Sequence, residues 1–148
     1  MVKDSPLSEI ILRRYEKPYQ TEKRELIKKI CLSLGLLQPG DSRDVIVDVL
    51  FVLEEAGKNK KSLSSEEIKL GVEKIRKKYN LELKGIADSN IRRQLKRLRE
   101  IMLAEKNNNL YNLNEFLSLK EIFENKIEKF LIPQTIERIK EYLDELGK

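Results

Sequence analysis

The chain has 148 residues, with 30 Lys and Arg against 25 Asp and Glu, a formal net charge of +5, no His and a single Cys. The absence of His excludes a Ser-His-Asp triad and imidazole metal sites, and one Cys excludes a disulfide framework or a thiolate zinc cluster. No paired carboxylates, Gly-rich phosphate loop or metal-spaced cluster emerges, so we expect no enzyme, no cofactor and no metal. Cys31 lies in the apolar run 30–32, which predicts a buried thiol.

Composition also bears on the cellular location of the protein. Scarce cysteine is typical of a reducing compartment, and the N-terminus lacks the long apolar core of a signal peptide. The longest apolar runs, such as residues 49–53, are far shorter than the roughly 20 residues that span a bilayer. We therefore expect a cytoplasmic protein with no membrane partner. Interleaved charges rich in Lys, Glu and Arg favour an ordered chain, and they are also typical of thermophiles.

The first predicted elements are two helices over residues 6–16 and 21–34. A turn leads to a third helix over about 42–56, whose apolar residues cover more than one face, so this helix should be central. Another helix begins after Ser64, because Ser64 and Glu67 match the capping-box pattern.

A basic helix and a hairpin follow in the predicted order. The helix is capped by Asp88 or Ser89 and runs to about Met102. Two short extended runs, 103–105 and 110–113, then flank one Lys and three consecutive Asn residues. Because Asn tolerates the left-handed conformation of a tight turn, these runs predict a β-hairpin.

The tail is predicted to be helical. A second capping box at Ser118 begins a helix that should end near Ile132, because Pro133 cannot continue it. The last helix, 135–146, carries an apolar seam with spacings of 3, 4 and 3 residues: Ile136, Ile139, Leu143 and Leu146. We expect this seam to hold a homodimer. The alternative is a monomer whose tail helices fold back onto the N-terminal pair.

Positive charge is concentrated in residues 62–114, which hold 12 basic and 7 acidic residues, whereas residues 115–148 hold 6 and 8. A localised basic region is the electrostatic footprint of a polyanion partner. In the basic helix one sector is apolar and should face the core: Ile91, Leu95, Leu98 and Met102. The opposite side carries small polar groups and cations: Ser89, Asn90, Arg93, Lys96 and Arg97. Arg92 and Arg99 flank the apolar stripe.

Insertion into the major groove of DNA requires this arrangement. Short polar groups approach base edges, while Arg and Lys reach bases or phosphates. Arg93 is the best candidate for a bidentate contact to guanine, and Asn90 could pair with adenine. The alternative interpretation of the same pattern is an amphipathic helix with a solvated basic face.

Residues 64–68, 89–98 and 103–113 resemble the winged helix-turn-helix family of DNA-binding domains, and they are most similar to the small winged-helix regulators common in archaea. The resemblance covers about half the chain. It implies a mainly α fold with a small β-hairpin, in which a winged helix-turn-helix core (41–114) lies between an N-terminal helical extension (1–40) and C-terminal helices (115–148). It also implies a first strand at Ser62-Leu63.

By this resemblance the third helix of the core reads the major groove, and the hairpin wing, with its tip at residues 106–109, lies along the backbone. The implied DNA-binding residues are Ser89, Asn90, Arg92, Arg93, Lys96, Arg97, Lys106, Asn107 and Asn108. We therefore expect a transcription regulator that binds double-stranded DNA sequence-specifically as a homodimer. The alternative is a winged-helix module that packs on other proteins within a larger assembly. Such a module would more often place apolar residues on the outer face of the third helix.

Overall fold

The structure, a computed structural model, describes residues 4–148 as a mainly helical chain with a small three-stranded antiparallel sheet. The elements in chain order are α1 (Lys23–Ser33), α2 (Val45–Lys58), β1 (Leu63–Ser64), α3 (Ser65–Lys78), α4 (Asp88–Glu100), β2 (Ala104–Asn107), β3 (Leu110–Leu113), a 3₁₀ turn (Asn114–Phe116), α5 (Leu119–Ile122), a π-helix (Phe123–Leu131) and α6 (Ile132–Leu146). The predicted fold class is confirmed, and the arrangement is compatible with a winged helix. No helix in residues 4–148 combines the length and the apolar character that crossing a bilayer requires.

Helix α2 is the central element, as its apolar residues on several faces predict. It contacts α1, α3, α4 and β3, and the side chains of Val47, Leu50 and Leu53 are fully buried. Cys31 packs in the same core. Burial raises the pKa of the Cys31 thiol to about 12, so the thiol stays protonated near neutral pH.

The sheet has the strand order β1-β3-β2, and it confirms the predicted hairpin. Ala104 lies opposite Leu113, and Asn107 lies opposite Leu110. The two residues between the strands, Asn108 and Asn109, have φ values of 50° and 63°. Positive φ at both central positions is the requirement of a type I′ turn, which explains the Asn residues at this point. Strand β1 lies one residue later than expected, at Leu63–Ser64.

The prediction of a helix over residues 6–16 is wrong. This segment has no regular secondary structure and runs back along α1. Its Arg13 amide donates to the Ser33 carbonyl at 2.8 Å, and the Arg13 guanidinium donates to the carbonyl of Leu32 at 2.9 Å. Ile11 packs closely against Gly35, where a β-carbon would lie 2.5 Å from the Ile11 Cβ. These contacts satisfy carbonyls at the end of α1, and such tertiary contacts override local helix propensity.

The prediction that Pro133 ends a helix is also wrong. The capping box at Ser118 is present, but the chain stays helical from α5 through the π-helix into α6. Just before Pro133, the Ile132 amide donates to the Ile127 carbonyl, five residues back. In an α-helix the proline ring clashes with the carbonyl four residues back, and a wider turn before the proline shifts the carbonyls relative to the ring.

A cluster of buried charges joins three helices, and it was not predicted. Arg24 of α1 and Arg76 of α3 enclose Asp44, at the start of α2, and Asp48. Arg24 Nε lies 2.8 Å from Asp48 Oδ1, and Arg76 Nη1 lies 2.7 Å from Asp48 Oδ2. Asp44 accepts hydrogen bonds from both arginines, at 3.1 and 3.0 Å.

The two arginines also set the pKa of Asp44. Burial acts to raise this pKa, but the hydrogen bonds from Arg76 and Arg24 outweigh burial and hold the pKa below the ordinary 3.8. A carboxyl with a lowered folded-state pKa contributes stability that is present above its unfolded pKa. That contribution is lost as the pH falls through the folded pKa, so the Asp44 interactions weaken only in acid.

Candidate nucleic-acid interface

The facing of α4 agrees with the sequence prediction. Ile91, Leu95 and Leu98 are fully buried against the core. Met102 lies beyond the end of the helix, with a φ of 66°, and is only partly buried. The helix cap is Ala87, so the expected caps at Asp88 and Ser89 are wrong. The Asp88 side chain instead pairs with Lys69 of α3 at 3.1 Å.

The solvent side of α4 carries mostly positive charge. Its exposed members, which we call the α4 basic face, are Ser89, Arg92, Arg93, Lys96 and Arg99. Within residues 4–148, no carboxylate lies within ion-pairing distance of these cations. Glu100 is exposed on the same side, at the last turn. The α4 basic face therefore presents positive charge that the protein itself does not neutralise.

Two of the predicted DNA-binding residues are held by the fold itself. Asn90 donates to the Gly85 carbonyl at 2.6 Å and accepts a hydrogen bond from Gln94 at 2.9 Å. Gln94 in turn accepts from Arg97 Nη1 at 2.9 Å, and Arg97 Nη2 donates to the Leu36 carbonyl at 2.6 Å. We call this row the α4 polar chain. It lies along one flank of α4 and leaves Asn90 and Arg97 only partly exposed.

Sequence reasoning missed the role of this polar chain. One end of the α4 polar chain, at the Leu36 carbonyl, belongs to a segment that only the tertiary fold brings to α4. The connection between α3 and α4 is also tied to the buried charge cluster, since Arg76 Nε donates to the Glu82 carbonyl at 2.6 Å. The first turn of α4 is thus linked, through Asn90 and this connection, to the buried charge cluster.

The hairpin presents a polar tip. Residues 106–109, which include the predicted Lys106, Asn107 and Asn108, are all exposed. Lys106 Nζ lies 5.6 Å from the centre of the Tyr111 ring, a cation–π distance that keeps the ammonium beside the hairpin. Behind the tip, Asn112 accepts from the Ser62 hydroxyl at 3.0 Å, which couples β3 to the segment before β1. The tip offers amide donors and acceptors together with one cation.

The predicted dimerisation seam lies on α6. Every side chain from Pro133 to the C-terminus is exposed. Ile136, Ile139, Leu143 and Leu146 retain 48, 55, 60 and 82% of their accessible surface. The preceding segment is different, because Ile122 and Ile127 are fully buried in the core. Only the first part of the tail therefore packs on the body of the protein, and the α6 seam has no partner within residues 4–148.

Residues 4–148 contain no group of three or more His, Cys, Asp or Glu side chains placed to hold a metal ion. The fold and this surface define a mainly helical protein with a small antiparallel sheet and an exposed basic helix, compatible with the winged-helix class. Comparison of the chain with protein-family models, with curated proteins and with solved structures gives no match in any of the three. Its function is therefore argued from the geometry of the α4 basic face and the hairpin.

Proposed function

We propose that this protein is a winged helix-turn-helix transcription regulator that binds double-stranded DNA. In this proposal α4 enters the major groove, and the hairpin tip lies along the backbone. The proposal is supported chiefly by one observation: the exposed cations Arg92, Arg93, Lys96 and Arg99 have no carboxylate partner in the described chain. Fixed positive charge on the exposed side of a packed helix is complementary to the phosphates that line the major groove.

A direct test is the salt dependence of binding to duplex DNA, measured by fluorescence anisotropy with a labelled random-sequence duplex. Each neutralised phosphate contributes about −0.9 to the slope of log K against log salt, and we expect roughly three to five contacts per subunit. Affinity should then fall about 40- to 500-fold between 50 and 200 mM salt. A flat response, or no binding at low salt, would contradict the proposal.

Arg93→Ala is expected to weaken binding to the specific site by about 1–3 kcal/mol, the usual contribution of a bidentate base contact. Arg92→Ala should have a smaller effect, because Arg92 lies nearer the buried stripe and reaches phosphates at most. Lys129→Ala, which removes an exposed cation from the π-helix, controls for the loss of charge. Competition assays with specific and random duplexes measure whether each variant loses affinity for the specific site alone or for both duplexes. Equal effects of the two arginine variants on both duplexes would show that the assigned facing of α4 is wrong.

The alternative function is a module that binds other proteins. It finds little support on α4, where the exposed positions of the basic face are polar or charged. It finds more support on α6, whose apolar seam is exposed. We assign that seam to a second copy of this chain, because a single winged helix contacts few bases. Two-fold pairing over adjacent half-sites lengthens the DNA sequence that is recognised.

A further inference from the structure

A second basic surface adjoins the α4 basic face, shares Arg93 with it, and forms a groove of about 1030 Å³. The start of α2, the connection between α3 and α4, and the α4 flank with the polar chain form its walls. Lys28 of α1 completes the lining. We call it the flank groove.

The acidic residues of the flank groove are already neutralised. Asp44 belongs to the buried charge cluster, with Arg24 and Arg76 at 3.1 and 3.0 Å. At the rim, Asp41 pairs with Arg43 at 3.5 Å. Glu82 pairs likewise with Lys84 at 3.5 Å. Each carboxylate that lines the groove therefore has its cation.

Three cations of the groove have no such partner. Lys28, Arg93 and Arg97 line it, and within residues 4–148 no carboxylate lies within ion-pairing distance of any of them. The groove therefore carries an excess of positive charge that no side chain of the described chain balances.

Arg97 is the most informative of the three, because it is partly buried and held in place. Its contacts to the Leu36 carbonyl and to Gln94 use two of the five guanidinium N–H groups. The other donors remain available. Removing a charge from water without a counter-ion costs free energy, and an anion in the groove would offset that cost.

We propose that the flank groove binds a phosphate group, held by Lys28 and Arg97, with Arg93 at the edge that the groove shares with the α4 basic face. Arginine forks match the oxygens of phosphate in bidentate geometry, and lysine adds a point charge. The groove is larger than a bare phosphate ion, so the group belongs to a larger molecule. Two sources share this chemistry: a small phosphorylated ligand, or a backbone phosphate of bound DNA. Only the DNA phosphate as the source rests on the proposed DNA binding.

The test uses the full chain and two probes. In the first arm, inorganic pyrophosphate is titrated calorimetrically into the protein at low salt without DNA. We expect binding that Lys28→Gln weakens about tenfold. The Lys28 side chain makes no hydrogen bond or ion pair within residues 4–148, so Lys28→Gln should leave the fold intact, and an unchanged thermal melt checks this. Lys129→Gln on the π-helix is the matched control and should bind like the wild type.

In the second arm, the affinity of Lys28→Gln for duplex DNA is measured across salt concentrations. Loss of pyrophosphate binding with unchanged DNA affinity assigns the groove to a small phosphorylated ligand. A DNA affinity that falls, with a salt slope smaller by about one, assigns it to the DNA backbone. The proposal is overturned if Lys28→Gln changes neither pyrophosphate binding nor DNA affinity. Failure of the wild type to bind DNA removes only the second source, since pyrophosphate binding is measured without DNA.

Discussion

Replacing Asp48 with alanine is expected to lower the free energy of unfolding by about 3–5 kcal/mol, the usual cost of removing one partner from a buried ion pair. Asp48 is fully buried and accepts hydrogen bonds from Arg24 and Arg76. The variant leaves both guanidinium groups in the core with Asp44 as their remaining carboxylate. The penalty comes from that uncompensated buried charge, and it exceeds the cost of the small cavity that alanine leaves.

Urea unfolding followed by circular dichroism at neutral pH measures this loss. Glu82→Ala is the control, because the Glu82 carboxylate pairs with Lys84 in solvent at 3.5 Å, and exposed pairs contribute at most about 1 kcal/mol. The Glu82 backbone carbonyl, which accepts from Arg76, is untouched by that change. Equal midpoints for the two variants would mean that the buried cluster contributes no more than a surface pair.

Leu143→Glu is expected to convert a dimer into a monomer. Leu143 lies in the middle of the α6 seam, between Ile139 and Leu146, and is 60% exposed in the single chain. In a two-fold pair the substitution loses apolar burial twice, at about 1.5–3 kcal/mol for each leucine. It also places two carboxylates in the interface, where each is costly without a cation.

Sedimentation at micromolar concentration measures the mass of the species in solution, and a single chain has a mass of 17.4 kDa. Gln134→Glu adds the same charge to the polar side of α6 and should leave the mass unchanged. DNA affinity should fall for Leu143→Glu and stay constant for Gln134→Glu, because two linked half-sites bind more tightly than one. A wild-type protein that sediments as a single chain at this concentration would rule out the dimer.

Several local features of the backbone could be predicted from the sequence. The capping boxes at Ser64 and Ser118 form as expected, because each satisfies its own helix N-terminus. The paired Asn108 and Asn109 predict a tight hairpin, because few other residues accept positive φ at both positions. The buried stripe of α4 also follows from helical periodicity alone.

The remaining features depend on groups far apart in the chain. Arg24 and Asp48 are each a charged residue within a helical pattern, and only the packing of α1 on α2 brings them together. Arg13 anchors its segment through carbonyls about 20 residues away, so residues 6–16 stay irregular despite a helical pattern. For the same reason, the sequence could not predict that Arg97 reaches the Leu36 carbonyl. That contact holds Arg97 at the flank groove, apart from the exposed cations of the α4 basic face.

The exposure of α6 links its folding to its association. The helix has 15 residues, close to the length below which an isolated helix is marginal in water. Its residues from Pro133 onward are all exposed. In the proposed dimer, covering the seam also stabilises the backbone hydrogen bonds of α6, so helix formation and pairing are coupled. For the proposed dimer we expect amide protons of α6 to exchange faster on dilution, while those of the buried α2 stay insensitive to protein concentration.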